Sequence, residues 1–122
     1  MGSRSILIVD DEPFIVEELV EALEYEGYRC LVADRVDSAM ACLDSGETVD
    51  ILLSDIKMPG RSGLDLLRFT EQHETFKGHV ILMSGHGTSD GEVMGSLDKE
   101  YPFLKKPICL DELLIKLEGL GS

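Results

Sequence analysis

Three short, nearly unbroken apolar runs constrain this chain most: Ile6–Val9 (ILIV), Ile51–Ser54 (ILLS) and Val80–Ser84 (VILMS). A strand with one face in water alternates apolar and polar residues, and these runs do not. Both of their faces must be buried, as in the centre of a parallel sheet. Two further runs, Tyr28–Ala33 and Phe103–Lys105, are mixed and suit the edges.

Helical patterns fill the gaps. Pro13–Glu26 opens with a proline, which suits a first helical turn, and stops before Gly27. Its expected core stripe is Ile15, Leu19, Ala22 and Leu23. Val36–Leu43 turns Ala39, Met40 and Leu43 inward, and Leu110–Leu117 does the same with Leu110, Leu113, Leu114 and Leu117. Leu64–Gln72 follows Ser62, which forms a capping-box pattern with Asp65. Ser89–Asp98 is the weakest helical stretch, because Gly91 and Gly95 each cost about 1 kcal/mol relative to alanine. Strand and helix alternate five times, which predicts a doubly wound α/β domain with helices on both faces of a parallel sheet.

With 122 residues, 43% of them hydrophobic and 29% charged, the chain suits one globular domain with its own core. Residues 5–120 are expected to form it, and residues 1–4 to be an appended remnant or a disordered start. No apolar run approaches the ~20 residues of a membrane span, and no signal-peptide pattern follows Met1, so a cytoplasmic setting is expected. Eleven Lys and Arg against 24 Asp and Glu give a net charge of −13. Such a surface repels nucleic-acid phosphates and anionic membranes and favours a cation or a basic partner. Cys30, Cys42 and Cys109 are scattered, without CxxC pairs, and fit reduced thiols.

In parallel sheets, function gathers at the carboxyl ends of the strands. Here those ends read Asp10-Asp11, Asp55, Ser84 and Lys105-Lys106-Pro107. A single aspartate there is most simply a cap or turn residue. Caps need not converge, however, and these residues come from four strand ends. Clustered carboxylates repel one another and call for a cation, and hard oxygen ligands with open positions suit Mg²⁺. A lysine and a hydroxyl opposite would hold an anion. Together these groups serve phosphoryl transfer onto a carboxylate.

The motifs ILIVDDEP, LLSDIKMPGRSGLDLL, ILMSGHGT and FLKKPI make the chain resemble the receiver domains of two-component response regulators over about residues 5–120. The resemblance implies a five-stranded flavodoxin-like sheet of order 2-1-3-4-5. It also implies a phosphoacceptor at Asp55, Mg²⁺ ligands from Asp11, Asp55 and the Lys57 carbonyl, and a metal-bound water held by Asp10. Lys106 would bind the phosphoryl group, Ser84 would donate to it, and Phe103 would swing inward when Ser84 moves. A cis peptide is implied at Lys106–Pro107. The implied donor is a sensor histidine kinase or a histidine phosphotransfer domain, and the output face is the fourth predicted helix, the fifth strand and the last helix. The resemblance is to a signalling domain that assists its own phosphorylation, not to an enzyme. A phosphorylation-dependent homodimer belongs among its partner states.

Several residues depart from the family pattern. The fourth predicted helix has only Val93, Met94 and Leu97 to pack, and Lys99-Glu100 replaces a familiar Gly-Ala. Cys109 stands where a better helix cap is common, and Phe103 lacks a phenolic hydroxyl. Phe14, Val16 and Val20 exceed the expected stripe of the first helix and suggest a docking patch rimmed by Glu17, Glu18 and Glu21; a broader core stripe explains them equally well. His86 is either close to the phosphoryl site or an exposed loop residue, while His73 and His79 have no metal-like spacing.

The alternative is a flavodoxin-like module that binds flavin or nucleotide without phosphotransfer, but Asp-Asp-Glu-Pro after the first strand would repel a flavin phosphate. A phosphatase of the haloacid-dehalogenase type would need an aspartate two residues beyond Asp55, where Lys57 stands. Within signalling, a stand-alone regulator, a DNA-binding regulator and a hybrid kinase all fit.

Overall fold

A computed structural model describes residues 4–57, 60, 62–73, 76, 78–85 and 101–120. The strands are β1 (Ser5–Val9), β2 (Arg29–Ala33), β3 (Ile51–Asp55), β4 (His79–Ser84) and β5 (Phe103–Lys105). They form one all-parallel sheet of order β2-β1-β3-β4-β5. Four helices are described: α1 (Pro13–Tyr25), α2 (Val36–Asp44), α3 (Gly63–Gln72) and α4 (Leu110–Glu118). The fourth predicted helix, Ser89–Asp98, and His86 lie outside the described residues. Among those residues, no helix is long and apolar enough to cross a membrane.

The pleat sends successive residues of the central strands to opposite faces. Leu7, Val9, Leu52 and Leu82 pack on one face with Val36, Ala39 and Leu43 of α2 and Leu66 and Leu67 of α3. Ile6, Ile8, Ile51, Leu53, Ile81 and Met83 pack on the other with Leu19 and Leu23 of α1 and Leu113 and Leu117 of α4. This double burial is why β1, β3 and β4 are apolar at nearly every position. Each fully buried Leu or Ile contributes about 1.5–3 kcal/mol.

One expected boundary moves inside α1. Val16 is only 8% exposed and belongs to the core, and Val20 packs against it. Ile15 is only partly buried. Of the three residues expected to form a docking patch, Phe14 alone stands free, at 85% exposure. Adjacent residues differ by about 100° around a helix. The rotation of α1 on the sheet, which is a tertiary matter, decides between Ile15 and Val16.

Helix ends follow local chemistry. After α1, Gly27 (φ +96°) donates its N–H to the Glu24 carbonyl, and Tyr28 donates to that of Leu23. This pair of bonds is a Schellman motif, and the positive φ suits glycine. At α3, the Ser62 N–H donates to Asp65 Oδ2 at 3.2 Å, as a capping box requires. Cys109 precedes α4 without a side-chain cap. The cysteines are unpaired thiols, and burial, with help from Glu24 and Glu47 respectively, pushes the Cys30 and Cys42 thiols up.

Candidate functional site

Parallel strands bring their carboxyl ends to one rim, and register decides which residues meet there. Val9 pairs with Ser54, so the following residues, Asp10 and Asp55, stand side by side. Ser84 pairs with Lys105, and the Lys106 N–H donates to the Ser84 carbonyl at 2.7 Å. Lys106 thereby turns back across the rim towards β1 and β3.

The two buried aspartates are held alike. Asp10 Oδ1 accepts the N–H of Glu12 at 3.0 Å, and Asp55 Oδ1 accepts that of Lys57 at 3.3 Å. Each Oδ2 faces the Lys106 ammonium, at 2.8 Å from Asp10 and 2.7 Å from Asp55. Glu12 Oε1 approaches the same ammonium at 3.0 Å. The Asp10 side chain is fully buried, and its Oδ2 lacks a well-aligned hydrogen-bond donor, so only charge attraction to Lys106 compensates it.

Burial pushes the Asp55 carboxyl up, and the Lys106 hydrogen bond and charge pull against that shift. Burial alone would lower Lys106, but the carboxylates of Asp10, Asp55 and Glu12 around its ammonium prevail and hold it well above the ordinary lysine range. Lys106 is therefore charged at neutral pH, whereas Asp55 carries a penalty when ionised.

The fit to a cation follows from the donor set. Asp10, Asp11, Glu12 and Asp55 each offer a carboxylate oxygen, all within 4.8 Å of one another. All four are hard oxygen donors, and the two exposed ones, Asp11 and Glu12, leave the cluster open to water. One lysine does not neutralise four carboxylates, and Asp10 Oδ2 lacks a donor. These features suit a small hard divalent ion that keeps several waters.

The structure brings Asp10, Asp11, Asp55 and Lys106 together. Lys57 adjoins the cluster through its N–H. Ser84 is buried at the end of β4, one strand from Asp55. Phe103 is 47% exposed at the start of the edge strand β5, turned away from the interior. Lys105 is exposed, and the Lys106–Pro107 peptide is cis. Sequence reasoning missed the Glu12 contact with Lys106, which spans 94 positions and has no local pattern. It also missed the tight packing behind Asp55. A Cβ on Gly63 would collide with the Asp55 carbonyl and come within 2.9 Å of Ile56 Cα.

The chain resembles known proteins along nearly its whole length. It is 33% identical over 121 residues to the phosphate regulon transcriptional regulatory protein PhoB of Pseudomonas aeruginosa, covering 98% of this chain and 52% of that protein. It is 34% identical to the transcriptional regulatory protein CpxR of Klebsiella pneumoniae, covering 96% of this chain and 49% of that one. The chain thus spans about half the length of these relatives. A response regulator receiver protein from Pseudomonas putida superimposes with a TM-score of 0.86 at 27% identity, covering 98% of both chains. The sequence profile of the response regulator receiver domain matches residues 6–118, and on that match the chain belongs to the response regulator receiver family.

Proposed function

We propose that this domain takes a phosphoryl group from a phosphohistidine onto Asp55, with Mg²⁺ as cofactor. The observation that carries the reading is the buried Asp55 carboxylate, with Lys106 on Oδ2 and three further carboxylates around it. Asp11, Asp55 and the Lys57 carbonyl would hold Mg²⁺, with Asp10 on a metal-bound water. Bound there, Mg²⁺ offsets the repulsion between the carboxylates and an incoming phosphoryl group.

An Asp55 oxygen attacks phosphorus while the P–N bond to the donor imidazole breaks. That electron pair stays on the imidazole nitrogen, which takes a proton from water, and the product is an acyl phosphate. Lys106 lies where it can hold the charge on the phosphoryl oxygens, and Ser84 supplies a hydroxyl from the neighbouring strand. Movement of Ser84 towards the phosphoryl group frees space for Phe103 to turn inward. This repacking remodels the face made by the fourth predicted helix, β5 and α4.

The donor is a sensor histidine kinase or a histidine phosphotransfer domain. It docks at Phe14, beside Asp11 and the first turn of α1, where exposed Glu17, Glu18 and Glu21 favour a basic partner. Acetyl phosphate with Mg²⁺ should give an acid-labile adduct on the wild-type protein and none on Asp55→Asn. Equal phosphorylation of the two proteins would refute the assignment.

A further inference from the structure

Glu12 is the one carboxylate of the cluster to which the proposed reaction gives no task. It occupies the N-cap position of α1, where a short polar side chain normally satisfies a free helical N–H, yet it makes no such cap. Its backbone is fixed on both sides, by the N–H bond to Asp10 Oδ1 at 3.0 Å and by the Val16 N–H on its carbonyl at 3.1 Å. From that anchored position its side chain reaches Lys106 Nζ at 3.0 Å.

A lysine ammonium has three N–H donors. Lys106 faces three carboxylate oxygens, at 2.7 Å on Asp55, 2.8 Å on Asp10 and 3.0 Å on Glu12. Two N–H groups are committed, to Asp55 and Glu12, whereas Asp10 Oδ2 lies close without an aligned hydrogen bond. The direction towards Asp10 is buried, so a phosphoryl oxygen arriving from solvent needs the direction that Glu12 holds. The Asp10 and Asp55 side chains are 0% and 7% exposed, whereas Glu12 is 57% exposed and makes the longest contact. Glu12 therefore covers the solvent side of the ammonium, from which a donor must approach.

We propose that Glu12 restrains Lys106 by filling the donor direction an incoming phosphoryl oxygen needs, and so slows phosphorylation of Asp55. The inference rests on the phosphoacceptor reading above. Glu12 acts through Lys106 as a positioning residue, and its negative charge also strengthens cation binding in the cluster. One side chain therefore carries two effects of opposite sign, which a purely structural role would not produce.

Two variants separate them. Glu12→Asp keeps the charge but withdraws it by one methylene, and aspartate at an N-cap favours the N–H groups of its own helix. Glu12→Gln keeps the reach and removes the charge. At saturating Mg²⁺, Glu12→Asp should accept phosphate from acetyl phosphate about 1.5- to fivefold faster than wild type, the range of one part-exposed ion pair. Its Mg²⁺ affinity by calorimetry should stay within about twofold, while Glu12→Gln binds Mg²⁺ more weakly. In metal-free, ¹⁵N-lysine-labelled protein, the Lys106 ammonium protons should exchange with water faster in Glu12→Asp than in wild type. A Glu12→Asp rate at or below wild type overturns the restraint, as does unchanged ammonium exchange. Should wild type take no phosphate at all, the phosphoacceptor reading is what fails. Ammonium exchange then decides the restraint alone: slower exchange in wild type supports it and equal exchange overturns it.

Discussion

Replacing Lys106 with methionine keeps most of the apolar stem and removes the charge. Two carboxylates then lose their cation, one with a side chain 0% exposed and the other 7% exposed. Breaking a buried ion pair from one side costs about 3–5 kcal/mol. At roughly 4 °C per kcal/mol for a domain of this size, the melting temperature should fall by about 12–20 °C at pH 7.5 in EDTA. The pH dependence has a definite sign. Burial already holds the Asp55 carboxyl above its ordinary value, and removing the lysine takes away what pulls it down, so its stabilising contribution is present below about pH 4 and is lost as pH rises through the folded value. The deficit relative to wild type should therefore shrink on acidification and be largest above neutrality. Millimolar Mg²⁺ should recover part of it, since the cation replaces the lost charge. Lys105→Met, at an exposed position, should change little. Thermal unfolding followed by circular dichroism across pH measures all of this. A Lys106→Met deficit under about 1 kcal/mol at pH 7.5, or one that grows in acid, would show that Lys106 does not compensate the buried carboxylates.

Asp55→Asn should raise metal-free stability at neutral pH, because burial sets the Asp55 carboxyl above its ordinary value and makes its ionised form costly; the gain should vanish near pH 4, as thermal melts in EDTA would show. Gly63→Ala should destabilise by more than about 1 kcal/mol in urea unfolding and slow phosphorylation, since its Cβ would meet the Asp55 and Ile56 backbone rather than a movable side chain. Val16→Ser should cost about 1.5–3 kcal/mol, as a core position does, while Phe14→Ala should leave stability and the acetyl phosphate reaction unchanged and slow transfer from a phosphohistidine protein. Asp11→Ala should weaken Mg²⁺ binding in calorimetry far more than Glu12→Ala, and equal effects would remove Asp11 from the ligand set.

The strands were legible because burial on both faces suppresses alternation: ILIV, ILLS and VILMS admit little else once a helix follows each. Asp10 and Asp55 were legible for a related reason, since parallel strands deliver their carboxyl ends to one rim whatever the loops do. Lys106 needed the KP motif, because nothing in local periodicity separates it from Lys105. The core face of α1 was legible at Leu19 and Leu23, but Val16 lies deeper than Ile15, because apolar neighbours leave the helix rotation to packing. Glu12 was illegible in its role. Its contact crosses 94 positions, and its N-cap location gives no sign that the side chain leaves the helix.

Everything proposed for this domain depends on Asp55 being the residue that receives phosphate. Borohydride reduction of the acetyl phosphate-treated protein, followed by peptide mass mapping, reads the acceptor directly, because reduction of an acyl phosphate marks the side chain that carried it. A single Mg²⁺-dependent mark is expected at Asp55, absent when EDTA is present. A mark at Asp10, Asp11 or Glu12 with Asp55 unmodified would contradict it.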